Sequence, residues 1–446
     1  MKSFLSLTVS ILMLISNSLY AQSTTPANST LFKNVNIFDG KSNTLLKNYY
    51  VLVKNNTIEK VSSSEPAINS QDLVTVIDGN GYILMPGLID AHWHTMFVAS
   101  PAANVIYGDP NLITLVAAKE ANATLMRGFT SVRDMAGNSF GLKDAIDQGL
   151  NNGPRIWPSG AIISQTGGHG DFRLPTELPS TPGDKLPMFV AAGHSALADG
   201  PSEVLKRSRE QLMRGASQLK LGAGGGIISK YDPIDVSQYS LDEIKAAVSA
   251  ADAWNTYVTV HAYTSKAIQT AIKAGVKCID HGHLMNEETA QLMSEKGIWL
   301  SAQPFVTDPN SPLSPEQLAK ERIVTEGTDR LYSLAKKYHL KTAFGTDILF
   351  ESKKGGADQN KMLVQMTRWY TPAETLKMAT ADNAQLLALS GPRSPYSGKL
   401  GVIEEGALAD ILVIKGNPLD DMHLLEDPKN NLVVIMKDGK IYKNNL

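Results

Sequence analysis

Five apolar segments of this 446-residue chain run into side chains able to bind a metal ion or carry a proton. The first reads Leu88-Ile89-Asp90-Ala91 and continues into His92-Trp93-His94. Alternate residues of an extended strand face the same way, so the two imidazoles can point together. One His-X-His alone is a weak signal. Its weight comes from the segments that follow. Lys220 lies within Gln218-Leu219-Lys220-Leu221, and His261 ends Val258-Thr259-Val260-His261. His281 ends Cys278-Ile279-Asp280-His281, and Asp347 follows Ala343-Phe344-Gly345-Thr346. Imidazoles suit zinc-like ions and a carboxylate adds charge, so the set points to divalent-metal chemistry. Lys220 is the odd member, because an ammonium cannot ligate a metal.

These side chains need elements that bring strand ends to one place. Between about residues 84 and 390, apolar strand patterns alternate with amphipathic helical ones, the signature of a parallel sheet. The spacing predicts eight strands, at 83–91, 129–134, 155–163, 218–221, 258–261, 276–281, 299–303 and 341–345. Helices are predicted between them, for instance at 112–126, 203–214, 241–254 and 287–296. Eight such units make an α/β fold of the (β/α)8 TIM-barrel type, whose active sites form at the C-terminal strand ends. The Gly- and Pro-rich insert 164–201 is far longer than an ordinary strand–helix loop and is expected to cover that site. Residues 22–84 and 391–446 read as short alternating strands with turns such as Asp39-Gly40 and Asp438-Gly439. They predict a small β-sandwich built from both termini, flanking a barrel over 85–390.

Residues 1–21 read as an export signal: Lys2, an apolar run from Phe4 to Ile15, and Ala21 before the expected cut. The run is short for a bilayer span, so the reading is a periplasmic or secreted protein without a stable membrane anchor. The net charge is −2 with no basic run, which argues against nucleic acid as a partner. The single cysteine, Cys278, excludes an internal disulfide and reads as core packing.

The stretch Met85-Pro86-Gly87-Leu88-Ile89-Asp90-Ala91-His92-Trp93-His94 resembles the entry motif of the amidohydrolase superfamily. Gly401 to Asp410 with Asn417-Pro418-Leu419 resembles its closing motif, and Thr371-Pro372-Ala373-Glu374 with Ala379-Thr380 and Asn383-Ala384 its last helix. Gln165-Thr166-Gly167-Gly168-His169-Gly170-Asp171, Lys220 with Gly224-Gly225-Gly226, and Asp280-His281-Gly282 are similar to the branch of Xaa-Pro dipeptidases and carboxypeptidases related to imidazolonepropionase. Ochratoxin-cleaving amidohydrolases resemble the same branch. Relatives often carry Glu where this chain has Asp280.

The resemblance implies two divalent ions, zinc or else manganese, cobalt or iron, and a carbamate formed from Lys220 and CO2 that bridges them. His92, His94 and Asp347 would hold the first ion, and His261 and His281 the second, with Asp347 also the general base. Such a pair, ~3.5–4 Å apart, activates a bridging water and polarises a carbonyl. The implied activity is hydrolysis of a small amide, a dipeptide such as Xaa-Pro or an N-acyl amino acid, with release of the C-terminal amino acid. Relatives also imply a homo-oligomer. His169 reads as a catalytic and substrate-polarising residue. Tyr231 reads either as a ligand for a substrate carboxylate or as packing. His283 reads as a structural neighbour of His281, Arg133 as an anion-neutralising group or the partner of Asp134, and His194 as a loop residue without motif support. His339 and His423 read as structural. The competing readings are lactone, ester or organophosphate hydrolysis on the same ions, and a non-catalytic exported binding protein. Deamination is disfavoured, because His261 is followed by Ala262-Tyr263-Thr264 rather than by an early Glu.

Overall fold

The computed structural model describes residues 28–68, 72–178, 185–307 and 313–446. The export-signal stretch 1–21 lies outside the described residues. The chain opens with strands β1 (Asn28–Ile37), β2 (Leu46–Lys54), β3 (Thr57–Ser62), β4 (Leu73–Asp78) and β5 (Ile83–Pro86). The middle supplies β6 (Leu88–Trp93), β7 (Phe129–Asp134), β8 (Arg155–Pro158), β9 (Ile162–Ser164), β10 (Ser195–Leu197), β11 (Leu219–Gly222), β12 (Val258–Thr264), β13 (Cys278–Leu284), β14 (Trp299–Ala302) and β15 (Lys341–Phe344). The end adds β16 (Ile411–Ile414), β17 (Leu432–Lys437) and β18 (Lys440–Asn444).

Both termini meet in one eight-stranded hydrogen-bonded sheet, ordered β18-β17-β16-β5-β1-β2-β3 with β4 beside β1. Its period-two alternation feeds two different cores. Ile411 and Val413 of β16 pack with Phe32, Val51 and Leu84, while Leu412 and Ile414 pack with Phe129, Leu219 and Val260 of the middle segment. The terminal sheet is thereby anchored to the middle on one face, and all four residues of β16 are buried.

The middle strands run parallel in two sheets, β6-β7-β8 and β10-β9-β11-β12-β13-β14-β15. Nearly every residue in them is buried, which explains their almost continuous apolar runs. Two polar side chains tie the sheets to each other. Gln218 donates to the carbonyls of Asp134 (3.2 Å) and Trp157 (2.9 Å). Asn383, in the last helix motif, donates to the carbonyls of Ile89 (2.7 Å) and Phe344 (2.8 Å) and accepts from the Phe344 N–H (3.0 Å).

The expected strand 83–91 is two strands, split at Gly87 between the terminal sheet and the β6 sheet. The expected strand 155–163 is likewise split into β8 and β9. The helices fall close to expectation, and several start on side-chain caps. Ser240 accepts from the Glu243 N–H at the head of Leu241–Ala253, and Asn286 from Thr289 at the head of Glu287–Lys296. No helix among the described residues is long and apolar enough to cross a membrane.

Candidate metal centre and its cavity

The six expected ligands lie on, or just past the ends of, β6, β11, β12, β13 and β15, and all line one cavity of about 560 Å³. Ligand atoms of His92, His281 and Asp347 fall within 4.8 Å of one another. His94 joins them through Nε2, 3.0 Å from Asp347 Oδ1, and His92 Nε2 lies 3.4 Å from the same oxygen. His261 completes the group edge-on to His281, with ring centroids 4.5 Å apart. Lys220 is buried and donates to Asp280 Oδ2 at 2.7 Å.

The backbone is bent to make this approach. His281 and Asp347 take positive φ angles of 78° and 56°, which non-glycine residues adopt at a cost of ~1–3 kcal/mol each. Gly345 lets β15 close on β6, since a Cβ there would lie 2.5 Å from His92 Cβ. The Asp347 N–H then donates to the His92 carbonyl at 2.8 Å. Asp90 fastens the same seam, accepting from Thr346 Oγ1 (2.7 Å) and Gln359 Nε2 (3.0 Å), and burial pushes its carboxyl up to about 6.

Two of the imidazoles, His281 and His261, have one nitrogen bonded outside the cluster, and His92 turns one toward a carboxylate. His281 Nδ1 lies 2.7 Å from Gln303 Oε1, His261 Nε2 lies 2.9 Å from the Gly225 carbonyl, and His92 Nδ1 lies 3.3 Å from Asp280 Oδ1. A proton on each of these nitrogens would leave the opposite one with its lone pair, the kind of outer contact that orients metal-ligating histidines. Burial lowers the basicity of all three rings, of His92 to about 4 and of His261 and His281 well below the usual value, so they stay neutral as ligation requires. Burial alone would raise Asp347, but the facing His92 and His94 hold it below the ordinary carboxylate value. Neutral imidazoles beside an ionised carboxylate are the donor set a divalent cation needs. The residues therefore fit a metal site.

The chain belongs to the amidohydrolase family. The family model matches residues 83–443. Ochratoxinase from Aspergillus niger is 35% identical over 379 residues, covering 81% of this chain and 76% of the relative. A prolidase crystallised with N-methylphosphonate-L-proline superposes with a TM-score of 0.84 at 34% identity, covering 94% of this chain and 100% of that one. A Xaa-Pro dipeptidase with bound methionine in its active site superposes with a TM-score of 0.80 at 30% identity, over 94% and 100%. This amidohydrolase is thus an amide-cleaving hydrolase, and its structural relatives imply a TIM barrel with a β domain from the two termini.

The other expected residues divide. His169 lines the cavity and stacks on His261 with ring centroids 3.7 Å apart. Its Nδ1 lies 2.9 Å from Ser229 Oγ and 3.5 Å from Asp232 Oδ2. A Cβ on Gly226 would lie 2.0 Å from that nitrogen, so the glycine run admits the ring. Tyr231 is 37% exposed and is not among the residues lining the cavity. His283 is buried and bonds the Gln303 carbonyl at 3.1 Å. Arg133 pairs with Asp280 at 2.8 Å, not with Asp134. Cys278 is buried beside it, Arg133 Nη1 lying 3.5 Å from Sγ. His194 is wedged between Phe97 and Phe189, with centroids 5.1 and 5.4 Å away.

Sequence reasoning passed over Tyr263. It lines the cavity 4.9 Å from the His261 ring and 5.1 Å from His281, and its hydroxyl forms no hydrogen bond among the described residues. The signal was present, since Tyr263 stands two places after His261 on one strand and so shares its direction. The outer cavity is aromatic, with Phe97, Phe172, Phe189, Phe305 and Phe350, and Glu351 and Asp358 also line it. No sequence pattern joins these residues, which come from four separate loops.

Proposed function

We propose that this amidohydrolase is a dinuclear metal enzyme that cleaves the amide bond of a dipeptide such as Xaa-Pro, or of an N-acyl amino acid, and releases the C-terminal amino acid. The convergence of His92, His281 and Asp347 within 4.8 Å is the observation that carries the reading. In it His92, His94 and Asp347 would hold one ion and His261 and His281 the other, with Lys220, once carbamylated, as a further ligand. The ions, when bound, supply Lewis acidity and a water of lowered pKa. Asp347 takes the proton of the attacking water and returns it to the leaving amine. His169, backed by Ser229 and Asp232, polarises the scissile carbonyl. Tyr263, which lines the cavity beside His261 and His281, offers a hydroxyl for a second polar group of the substrate and takes over the role considered for Tyr231. The aromatic wall suits an apolar acyl or side-chain group, and a cavity of this size suits small substrates.

The reading includes closure of the two parallel sheets into one eight-stranded barrel, export after removal of residues 1–21, and a homo-oligomer. The deciding experiment measures amino acid released from N-acyl amino acids and dipeptides against their C-terminal amides, with elemental analysis of the same preparation. The reading expects about two ions per chain, activity lost on chelation, and acids cleaved faster than amides. One ion or none in an active enzyme would sink the dinuclear site. Equal kcat/KM for acid and amide would reject carboxylate recognition.

A further inference from the structure

Asp280 is fully buried on β13, directly before His281, and its two oxygens have different clients. Oδ2 accepts from Lys220 Nζ at 2.7 Å and from Thr259 Oγ1 at 2.7 Å. Oδ1 accepts from Arg133 Nη2 at 2.8 Å and faces His92 Nδ1 at 3.3 Å. Arg133 is itself fixed, donating to the Ala91 carbonyl at 2.5 Å and to Tyr257 Oη at 3.2 Å. The lysine and the histidine come from β11 and β6, in different sheets, so the carboxylate joins two arms of the metal centre across the fold.

We propose that Asp280 is a positioning residue that aims Lys220 and His92 together at the metal centre. The inference rests on the dinuclear reading above. His92 Nδ1 is buried with no hydrogen-bond partner in ideal geometry among the described residues, and the carboxylate oxygen it faces, at 3.3 Å, is this one. A proton on Nδ1, attracted by Oδ1, would leave the lone pair on Nε2, the nitrogen that faces Asp347. At Lys220 the argument is one of valence. In carbamate formation the Nζ lone pair bonds to the carbon of CO2, and one C–O π pair moves onto oxygen. The starting ammonium releases two protons to solvent in total, and Nζ keeps one N–H. That N–H needs an acceptor in a buried site, and Oδ2 already occupies the place. With the N–H turned toward Asp280, the CO2 group turns away from it, toward the ligand cluster. A purely structural ion pair would need only Arg133, which already neutralises Asp280, and would explain neither the lysine nor the histidine contact.

The test compares holoenzymes carrying Asp280→Asn, Asp280→Glu and Thr259→Val with wild type. The carbamate is read by 13C NMR after equilibration with labelled bicarbonate, metal content by elemental analysis, and fold by circular dichroism. Asp280→Asn is expected to keep its circular dichroism while carbamate occupancy, metal affinity and kcat fall about 10- to 100-fold. Asp280→Glu, which keeps the charge, should recover part of each. Thr259→Val, which removes one donor from Oδ2 without touching a ligand, should lower carbamate occupancy severalfold and so carries the test if the Asn variant fails to fold. A wild-type enzyme lacking carbamate and paired ions would overturn the dinuclear reading. A normal wild type with an Asp280→Asn variant that keeps both, or an unchanged Thr259→Val where the Asn variant does not fold, would overturn the Asp280 inference alone.

Discussion

The inner end of the cavity, where β6, β11, β12, β13 and β15 deliver His92, His94, Lys220, His261, His281 and Asp347, differs in construction from the outer wall of Phe97, Phe172, Phe189, Phe305 and Phe350. At the inner end contacts are directional: His261 and His281 are each oriented by an acceptor on another segment, and His281 and Asp347 sit on positive-φ backbone. The wall is made of rings in stacked and edge-on contact, such as Phe97 stacked on Phe350 at 6.2 Å and Phe172 edge-on to Phe189 at 5.0 Å. Apolar contacts are non-directional, so the wall tolerates changes of shape that the ligand end does not. The candidate ligands thus sit in a hydrogen-bonded scaffold of strands, whereas the wall is apolar area brought together by the segments around it.

That contrast can be broken first at Asp347. Asp347→Asn should lower kcat by ~10²- to 10⁴-fold while KM for apolar substrates changes little, because the wall is untouched. A large rise in KM with kcat preserved would place Asp347 in substrate binding and erase the distinction. A second comparison lies within β13. His281→Ala should lose metal from the second site together with turnover, whereas His283→Ala should keep its ions and lose roughly 1–3 kcal/mol of stability from the unpaired Gln303 carbonyl and lost packing. Elemental analysis and urea unfolding of the two variants separate these outcomes, and the reverse pattern of metal loss would reassign the ligand.

A third test concerns the wall and pH. Burial, aided by Arg214, lowers His194 to about 4, below the ordinary 6.5. The unfolded chain therefore takes up a proton below 6.5 that the folded one refuses until about 4. Stability is complete above pH 6.5 and falls as the pH drops through that window, by about 2 kcal/mol between pH 7.5 and 5 from this ring. Urea unfolding at both pH values should show His194→Gln losing that share of the pH dependence, and an unchanged slope would remove the histidine from the account. The smallest effect separates the two tyrosines. Tyr263→Phe removes a hydroxyl inside the cavity and should lower kcat/KM about fivefold, in keeping with ~1 kcal/mol for one hydrogen bond. Tyr231→Phe, outside the cavity, should stay within about twofold. Steady-state kinetics on one N-acyl amino acid decides it, and equal losses would mean that the cavity wall reaches farther than its lining residues show.

Much of the inner end was legible because it repeats one local rule. Apolar strands ending in His, Lys or Asp can be read along the chain, and parallel alternation with helices tells which ends gather. The same rule failed where local pattern and tertiary pairing disagree. Residues 83–91 read as one apolar run, yet Pro86 pairs with Ile411 in the terminal sheet and Leu88 with Phe129 in the middle one. Residues 155–163 were divided in the same way. Arg133 was weighed against its neighbour Asp134, whereas its partner is Asp280, 147 positions away.

Residue types, their alternation and their places on strands were thus determined by the sequence alone: six candidate ligands, a net charge of −2, and a chain able to bury a parallel sheet. Three matters were decided only by the tertiary structure. One is the nitrogen that each histidine presents, because that depends on an acceptor such as Gly225, Asp280 or Gln303 on another segment. Another is the choice of Tyr263 over Tyr231 as the cavity hydroxyl, since exposure is a property of the packed loops around a residue. The last is the use of Asp280 as a hub for Lys220, Arg133 and His92, because a carboxylate has two oxygens and only the assembled strands determine which donors reach each one.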